Sequence, residues 1–179
     1  LADVWYPGWK AFIDGRETRW PLASLTKHMT AVVAQESIAP GARIIMSQQA
    51  VATEGNSGEF ISGETFLIED LVRAMLITSS NDAAEAIAEY YGYDAFINEM
   101  QKKAYELGMR NTSFSDVTGL SPLNQSTVSD LALLAQYIFE KRPDIFLITR
   151  TVSYEIKDQL SGAPHVLQNI NKFAGRSDF

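Results

Sequence analysis

The stretch Pro21–Ala34 reads PLASLTKHMTAVVA, and its reading decides the fold. Proline fixes φ and suits the first turn of a helix. Leu25, Met29, Val32 and Val33 recur at i, i+4, i+7 and i+8, which predicts a helix with an apolar face. Ala23, Thr26, Thr30, Ala31 and Ala34 fill most of the rest with small side chains. A helix with so little charge is expected to be buried on most sides. Yet Ser24 and Lys27 lie three residues apart in its first turn, on one face. A hydroxyl beside an amine is what nucleophilic catalysis needs: a lysine whose pKa falls on desolvation can take the hydroxyl proton. The positive pole of the helix favours negative charge developing on the serine oxygen. A plainer reading makes Ser24 a helix cap and Lys27 a solvated first-turn residue. A lysine at the mouth of a buried helix is costly without a purpose, which favours the chemical reading.

The 179 residues suffice for one domain with a real core, and residues 1–179 are read as a single domain. A formal charge of -7 and a pI near 4.8 argue against nucleic acid or an anionic membrane as the main partner. The absence of cysteine removes disulfides, thiolate metal sites and cysteine nucleophiles. No apolar run is long enough to span a bilayer, and no signal peptide stands at the start. The histidines do not support a Ser-His-Asp triad. His28 sits about 100° round the helix from Lys27, and His165 follows Ala163-Pro164 in an expected loop with no visible partner. There is no H-E-x-x-H and no phosphate-cradling glycine motif.

Outward from the central helix, Lys10–Ile13 and Thr18–Trp20 are expected as strands around an Asp14-Gly15 turn. Ala39-Pro40-Gly41 breaks the chain, Ile44 to Met46 is a short apolar run, Ala50 to Gly63 reads as loop, and Glu64 to Phe66 as a short strand. Ile68 to Ile77 is a helix by periodicity, and Ala83 to Tyr91 another. Between them lies Thr78-Ser79-Ser80-Asn81-Asp82, where Ser79 or Ser80 suits a helix cap. Tyr93 to Leu107 is a helix closed by Gly108, Met109 to Asn124 a loop, and Ser126 to Lys141 a helix. Pro143 opens a short helix to Ile148, Thr151 to Lys157 alternates as a strand, and the rest reads as loop.

Ser24-Leu25-Thr26-Lys27, followed some fifty residues later by Ser79-Ser80-Asn81, resembles the S-x-x-K and S-x-N motifs of serine penicillin-binding proteins and class A β-lactamases. The surrounding phrases narrow the resemblance. PLASLTKHMTAVVA, EDLVRAMLITSSNDAAEAIAEYYG (Glu69 to Gly92), ELGMRNTSFSDVTGL (Glu106 to Leu120) and STVSDLALLA (Ser126 to Ala135) are similar, in order, to phrases of the D-alanyl-D-alanine carboxypeptidases. There are two departures. The amino-terminal hairpin is shorter than is usual in that family, and the third motif, K-T-G, is absent: Lys172 is followed by Phe173 and Ala174. The expectation is a chain truncated before the K-T-G strand, catalytically inactive alone.

The resemblance implies an α+β, β-lactamase/DD-peptidase-like fold: an antiparallel sheet flanked by helices, plus an all-helical lobe, with C-terminal strands missing here. It implies acyl transfer on peptidoglycan stem peptides ending in D-Ala-D-Ala. Ser24 would be the nucleophile, Lys27 its base and Ser79 a proton relay; Asn81 would hold Lys27 and the substrate amide. It also implies acylation by β-lactam antibiotics and no metal or cofactor. The location implied is extracytoplasmic, with export and any membrane anchor supplied by segments absent from this chain. The alternatives carried forward are a DD-endopeptidase, a β-lactamase and a non-catalytic cell-wall-binding module.

Overall fold

The computed structural model describes residues 15–55 and 58–176. The strand expected at Lys10–Ile13 lies outside them. Gly15 sits in a turn, but the next strand, β1, is Trp20–Pro21 rather than Thr18–Trp20. It pairs antiparallel with a segment more than a hundred residues later, β4 at Gln125–Ser126. The Leu22 N–H donates to the Asn124 carbonyl at 2.8 Å, so the pairing extends past Pro21 and delays the helix. One 3-10 turn, Ala23–Leu25, intervenes before helix α1 at Thr26–Ser37. That turn rotates Leu25 off the apolar face where simple periodicity put it, and Leu25 is 51% exposed.

After α1 come β2 (Arg43–Ile45), α2 (Gln48–Val51), β3 (Thr65–Leu67), α3 (Ile68–Ile77), α4 (Asn81–Tyr91) and α5 (Tyr93–Glu106). Beyond β4 lie α6 (Val128–Lys141), α7 (Pro143–Thr149), β5 (Ser153–Lys157) and β6 (Pro164–Gln168). The class is α+β, with the described strands in three antiparallel pairs: β1–β4, β2–β3 and β5–β6. As expected, α1 is the core element. Met29, Ala31, Val32, Val33 and Ala34 are buried, and α3, α4, α5 and α7 pack around it. Small residues at Ala31 and Ala34 let several helices approach one axis.

The observed helix ends follow from local chemistry. The Ser80 hydroxyl accepts the Ala83 N–H at 3.1 Å to cap α4, and Thr127 caps α6 through the Asp130 N–H. Ser126 belongs to β4, so α6 starts two residues later than its periodicity suggests. The loop expected from Ala50 begins instead inside α2, capped by Ser47.

The carboxy-terminal region expected as loop contains β6, which pairs with β5. Only Leu167 of β6 is buried, so no alternating pattern marked it. His165 has a partner after all: its Nε2 lies 2.8 Å from Glu64 Oε1, and its ring stacks on Phe60. This hairpin is tied to β3, because Thr65 N–H donates to Asp158 Oδ1 at 2.7 Å. The Ile170 N–H then reaches the Ile77 carbonyl at 3.2 Å, bringing residues 169–171 beside the end of α3.

Candidate active site

The 3-10 turn leaves Ser24 exposed while Lys27, one turn on, is 2% exposed. The Lys27 Nζ donates to Ser24 Oγ at 3.3 Å and to the Thr118 carbonyl at 2.9 Å. The three-residue spacing therefore does bring hydroxyl and amine together. The plainer reading fails on both counts. Leu25, not Ser24, occupies the cap of α1, which has no side-chain capping bond, and Lys27 is not solvated. Burial lowers the Lys27 pKa from 10.5 to about 8, and the nearby Asp116 carboxylate only partly offsets this. An amine that loses its proton near pH 8 can serve as a base on the serine beside it.

The Thr118 carbonyl is aimed by the loop expected over Met109 to Asn124, whose polar bonds fix its shape. Asp116 Oδ1 accepts the N–H of Thr118 at 2.8 Å and the Thr118 hydroxyl at 3.1 Å, and Asp116 Oδ2 accepts the Ser121 N–H at 2.6 Å. The Asn124 Nδ2 donates to the Asp116 carbonyl at 3.0 Å and to Thr26 Oγ1 at 3.1 Å, joining the loop to the start of α1. Thr30 Oγ1 donates to the Val117 carbonyl at 2.7 Å one turn further on. Gly119, at φ +90°, closes the seam. A Cβ there would lie 1.8 Å from the Ala23 carbonyl oxygen, so only glycine fits. Ala23 itself has φ +46°, a strained conformation held by this contact region. The one sequence signal for the loop was Asp116 followed by Gly119, an aspartate turn pattern.

Ser79 also has a left-handed backbone, φ +58°, immediately before the α4 cap. Of the two serines that suited the cap, Ser80 takes it, and Ser79 lines a cavity of about 620 Å³ together with Ser24, Lys27 and His28. Met75, Phe146, Asn169 and Ile170 complete much of its wall. Asn81 is buried at the start of α4, where its Nδ2 donates to the Glu54 carbonyl at 2.7 Å. The neighbour that holds Lys27 is thus Thr118, rather than Asn81 as the resemblance implied. His28 is partly buried, its pKa lowered by that burial, with Nδ1 3.3 Å from the Leu25 carbonyl oxygen.

Residues 14–177 match the D-alanyl-D-alanine carboxypeptidase family, Peptidase_S11. The chain is 35% identical over 127 residues to the D-alanyl-D-alanine carboxypeptidase DacF of Bacillus subtilis, covering 66% of this chain and 32% of that one. It is 36% identical over 125 residues to a D-alanyl-D-alanine endopeptidase of Haemophilus influenzae, covering 68% of this chain and 43% of that one. The crystal structure of the D-alanyl-D-alanine carboxypeptidase DacD from Francisella tularensis aligns with a TM-score of 0.70 and 33% identity, over 77% of this chain and 35% of that chain. The chain spans about a third to two-fifths of the length of the two curated relatives.

Proposed function

Because the chain belongs to the D-alanyl-D-alanine carboxypeptidase family, we propose that the protein carrying it is a serine DD-carboxypeptidase. It removes the terminal D-alanine from peptidoglycan stem peptides through an acyl-enzyme on Ser24. The observation that supports this reading most is the Lys27 amine, buried, its pKa lowered to about 8, and 3.3 Å from the Ser24 hydroxyl. Ser24 Oγ forms a bond to the carbonyl carbon between the two D-alanines, and its proton passes to Lys27 Nζ. The tetrahedral intermediate collapses by breaking the C–N bond. The leaving amine takes a proton from Lys27 through Ser79, which lines the same cavity. Water, deprotonated by Lys27, then hydrolyses the ester. Asn81 holds the substrate amide, while the Thr118 carbonyl keeps the amine in place. β-Lactams resemble the D-Ala-D-Ala unit and acylate Ser24 by the same attack. The substrate places the protein outside the cytoplasm; among the described residues no helix is long and apolar enough to cross a membrane.

The test is mass spectrometry of the protein after treatment with penicillin. The adduct is expected on the peptide containing Ser24 and is lost in Ser24→Ala. An adduct elsewhere, or full labelling of that variant, would sink the assignment. Ser79→Ala is expected to keep some acylation while D-alanine release falls by about 10²-fold. A second reading, cleavage of cross-links between stem peptides, is favoured by the 36% identity to a D-alanyl-D-alanine endopeptidase. Product analysis on purified muropeptides separates the two: free D-alanine supports the first, resolved cross-linked dimers the second. Rapid turnover of nitrocefin would indicate a β-lactamase instead, and pentapeptide binding without D-alanine release a non-catalytic module.

A further inference from the structure

We infer that Asp116 is a positioning residue for the Ser24–Lys27 pair, reaching the amine through the Thr118 carbonyl that its own carboxylate holds in place. The inference rests on the acyl-transfer reading above for its meaning, but its geometry stands on the hydrogen bonds of the loop. Among the described residues the Lys27 amine has two hydrogen-bond partners, Ser24 Oγ and the Thr118 carbonyl oxygen. The second makes no sense as a chance contact, since 91 residues of chain separate the two groups. It exists because the turn from Asp116 to Ser121 is wound round one carboxylate, which accepts from the N–H groups of Thr118, Gly119 and Ser121. A carboxylate accepting several backbone N–H bonds fixes a loop far more tightly than neutral side chains do. Asn124 then fastens the turn to Thr26, one residue before Lys27.

The same carboxylate also acts through space. Its negative charge favours the protonated amine, opposing the burial that drives the proton off. Asp116 therefore does two things to Lys27 that can be separated. It holds the carbonyl that orients the amine, and it keeps the amine from becoming too weak a base. The other ionisable groups that bear on this arrangement are Glu85 on α4 and Tyr93 on α5. Glu85 Oε1 accepts the Tyr93 hydroxyl at 3.3 Å. Burial raises the Glu85 pKa to about 7, and Asp116 adds to that rise. On α1 itself the neighbouring ionisable group is His28, whose pKa burial lowers.

The experiment uses the full protein and two variants. Asp116→Asn removes the charge and keeps one acceptor oxygen; Asp116→Glu keeps the charge and displaces the turn. The first readout is the rate of Ser24 acylation by a fluorescent penicillin as a function of pH. The second, which needs no chemistry on Ser24, is the titration of the Lys27 amine followed by NMR of labelled lysine. For Asp116→Asn the Lys27 titration is expected to move down by about one pH unit, carrying the acid limb of the acylation profile with it. For Asp116→Glu the midpoint is expected to stay while the plateau rate falls by about 10-fold or more, because a small misplacement of a reacting pair is enough to slow it.

A purely structural Asp116 would lower the melting temperature of both variants and leave both midpoints alone, and that result overturns the inference. So does an unchanged plateau in Asp116→Glu, which decides the matter even if Asp116→Asn does not fold. If the wild-type protein is never acylated by penicillin, the acyl-transfer reading fails. The Lys27 titration in Asp116→Asn still decides whether Asp116 governs the amine.

Discussion

The two ends of helix α1 each hold a lysine amine, and they treat it in opposite ways. At the first turn Lys27 is enclosed with a serine hydroxyl and a backbone carbonyl as hydrogen-bond partners. Burial pushes its pKa down to about 8. At the last turn Glu36 of α1 receives Lys103, which reaches across from α5 to within 2.7 Å, while Glu106 stands 3.3 Å away. Burial is the largest single influence there too and opposes the charge, but the hydrogen bond and charge of Glu36, with Tyr137 and Glu106, together outweigh it and the Lys103 pKa is raised. Arg142 and the Tyr137 hydroxyl bind the same glutamate, whose own pKa is lowered because the Lys103 bond, with these two, overcomes its burial. The helix dipole acts in the same sense, disfavouring a cation at the first turn and favouring one at the last. Burial alone does not lower a lysine's pKa. Burial with neutral hydrogen-bond partners at the positive end of a helix does.

The largest effect that would sharpen this contrast is on chemistry. Lys27→Ala should cut Ser24 acylation by about 10² to 10⁴-fold, while Lys103→Ala leaves it unchanged, measured as the rate of labelling by a fluorescent penicillin. Equal rates for the two variants would break the comparison. A large effect on stability is expected at the seam that encloses Lys27. Gly119→Ala sets a methyl group against the Ala23 carbonyl. It should lower the free energy of unfolding in urea by about 2–4 kcal/mol.

Next in size is a pair of stability changes of opposite sign. Lys27 is easier to deprotonate folded, at about 8, than unfolded, at about 10.5. Below pH 8 both states are protonated and the folded state carries the penalty of a buried charge. Between the two values the unfolded chain binds more protons, so stability rises with pH there. Lys27→Met should therefore stabilise the protein at pH 7 by about 1–3 kcal/mol, with the gain fading as pH climbs through that window. Lys103, with its pKa raised, contributes stability that is present below its unfolded pKa and lost as pH rises through the folded one. Lys103→Met should destabilise at pH 7 by about 0.5–1 kcal/mol. Two changes of the same sign, read from thermal or urea unfolding at pH 7, would defeat the argument. An effect about as small as that of Lys103→Met lies at the start of α4: Ser80→Ala should lose about 0.5–1 kcal/mol of stability by removing the helix cap, with acylation kept.

Much of this was legible in the sequence because apolar periodicity and capping chemistry write themselves locally. The range Ile68–Ile77 coincides with α3, and Ser24 and Lys27 share a face as their spacing requires. The unread part is the part made by polar bonds between distant segments. Asp116, Thr118 and Asn124 carry no periodicity, and nothing near Lys27 in the chain announces a carbonyl 91 residues away. Periodicity puts Leu25 on the buried face because it presumes a continuous helix; the Leu22 to Asn124 bond that precedes the 3-10 turn is again long-range. His165 lacked a visible partner for the same reason, its glutamate lying 101 residues earlier. Of the fold, the helices could be read; of the candidate site, the pairing of Ser24 with the Lys27 amine could be read, and the loop that holds the amine could not.

The contact between Lys27 and Thr118 also sets when in the life of the chain the amine can lose its proton near pH 8. While the segment carrying Asp116 and Gly119 is not yet docked on α1, water reaches the amine, which then stays protonated and cannot take a proton from Ser24. A nascent or half-unfolded chain with every helix formed is thus chemically quiet. The lowered pKa of the amine arrives with the docking of this loop and leaves when it opens. On the proposed acyl-transfer chemistry, labelling of Ser24 then reports that this loop has docked.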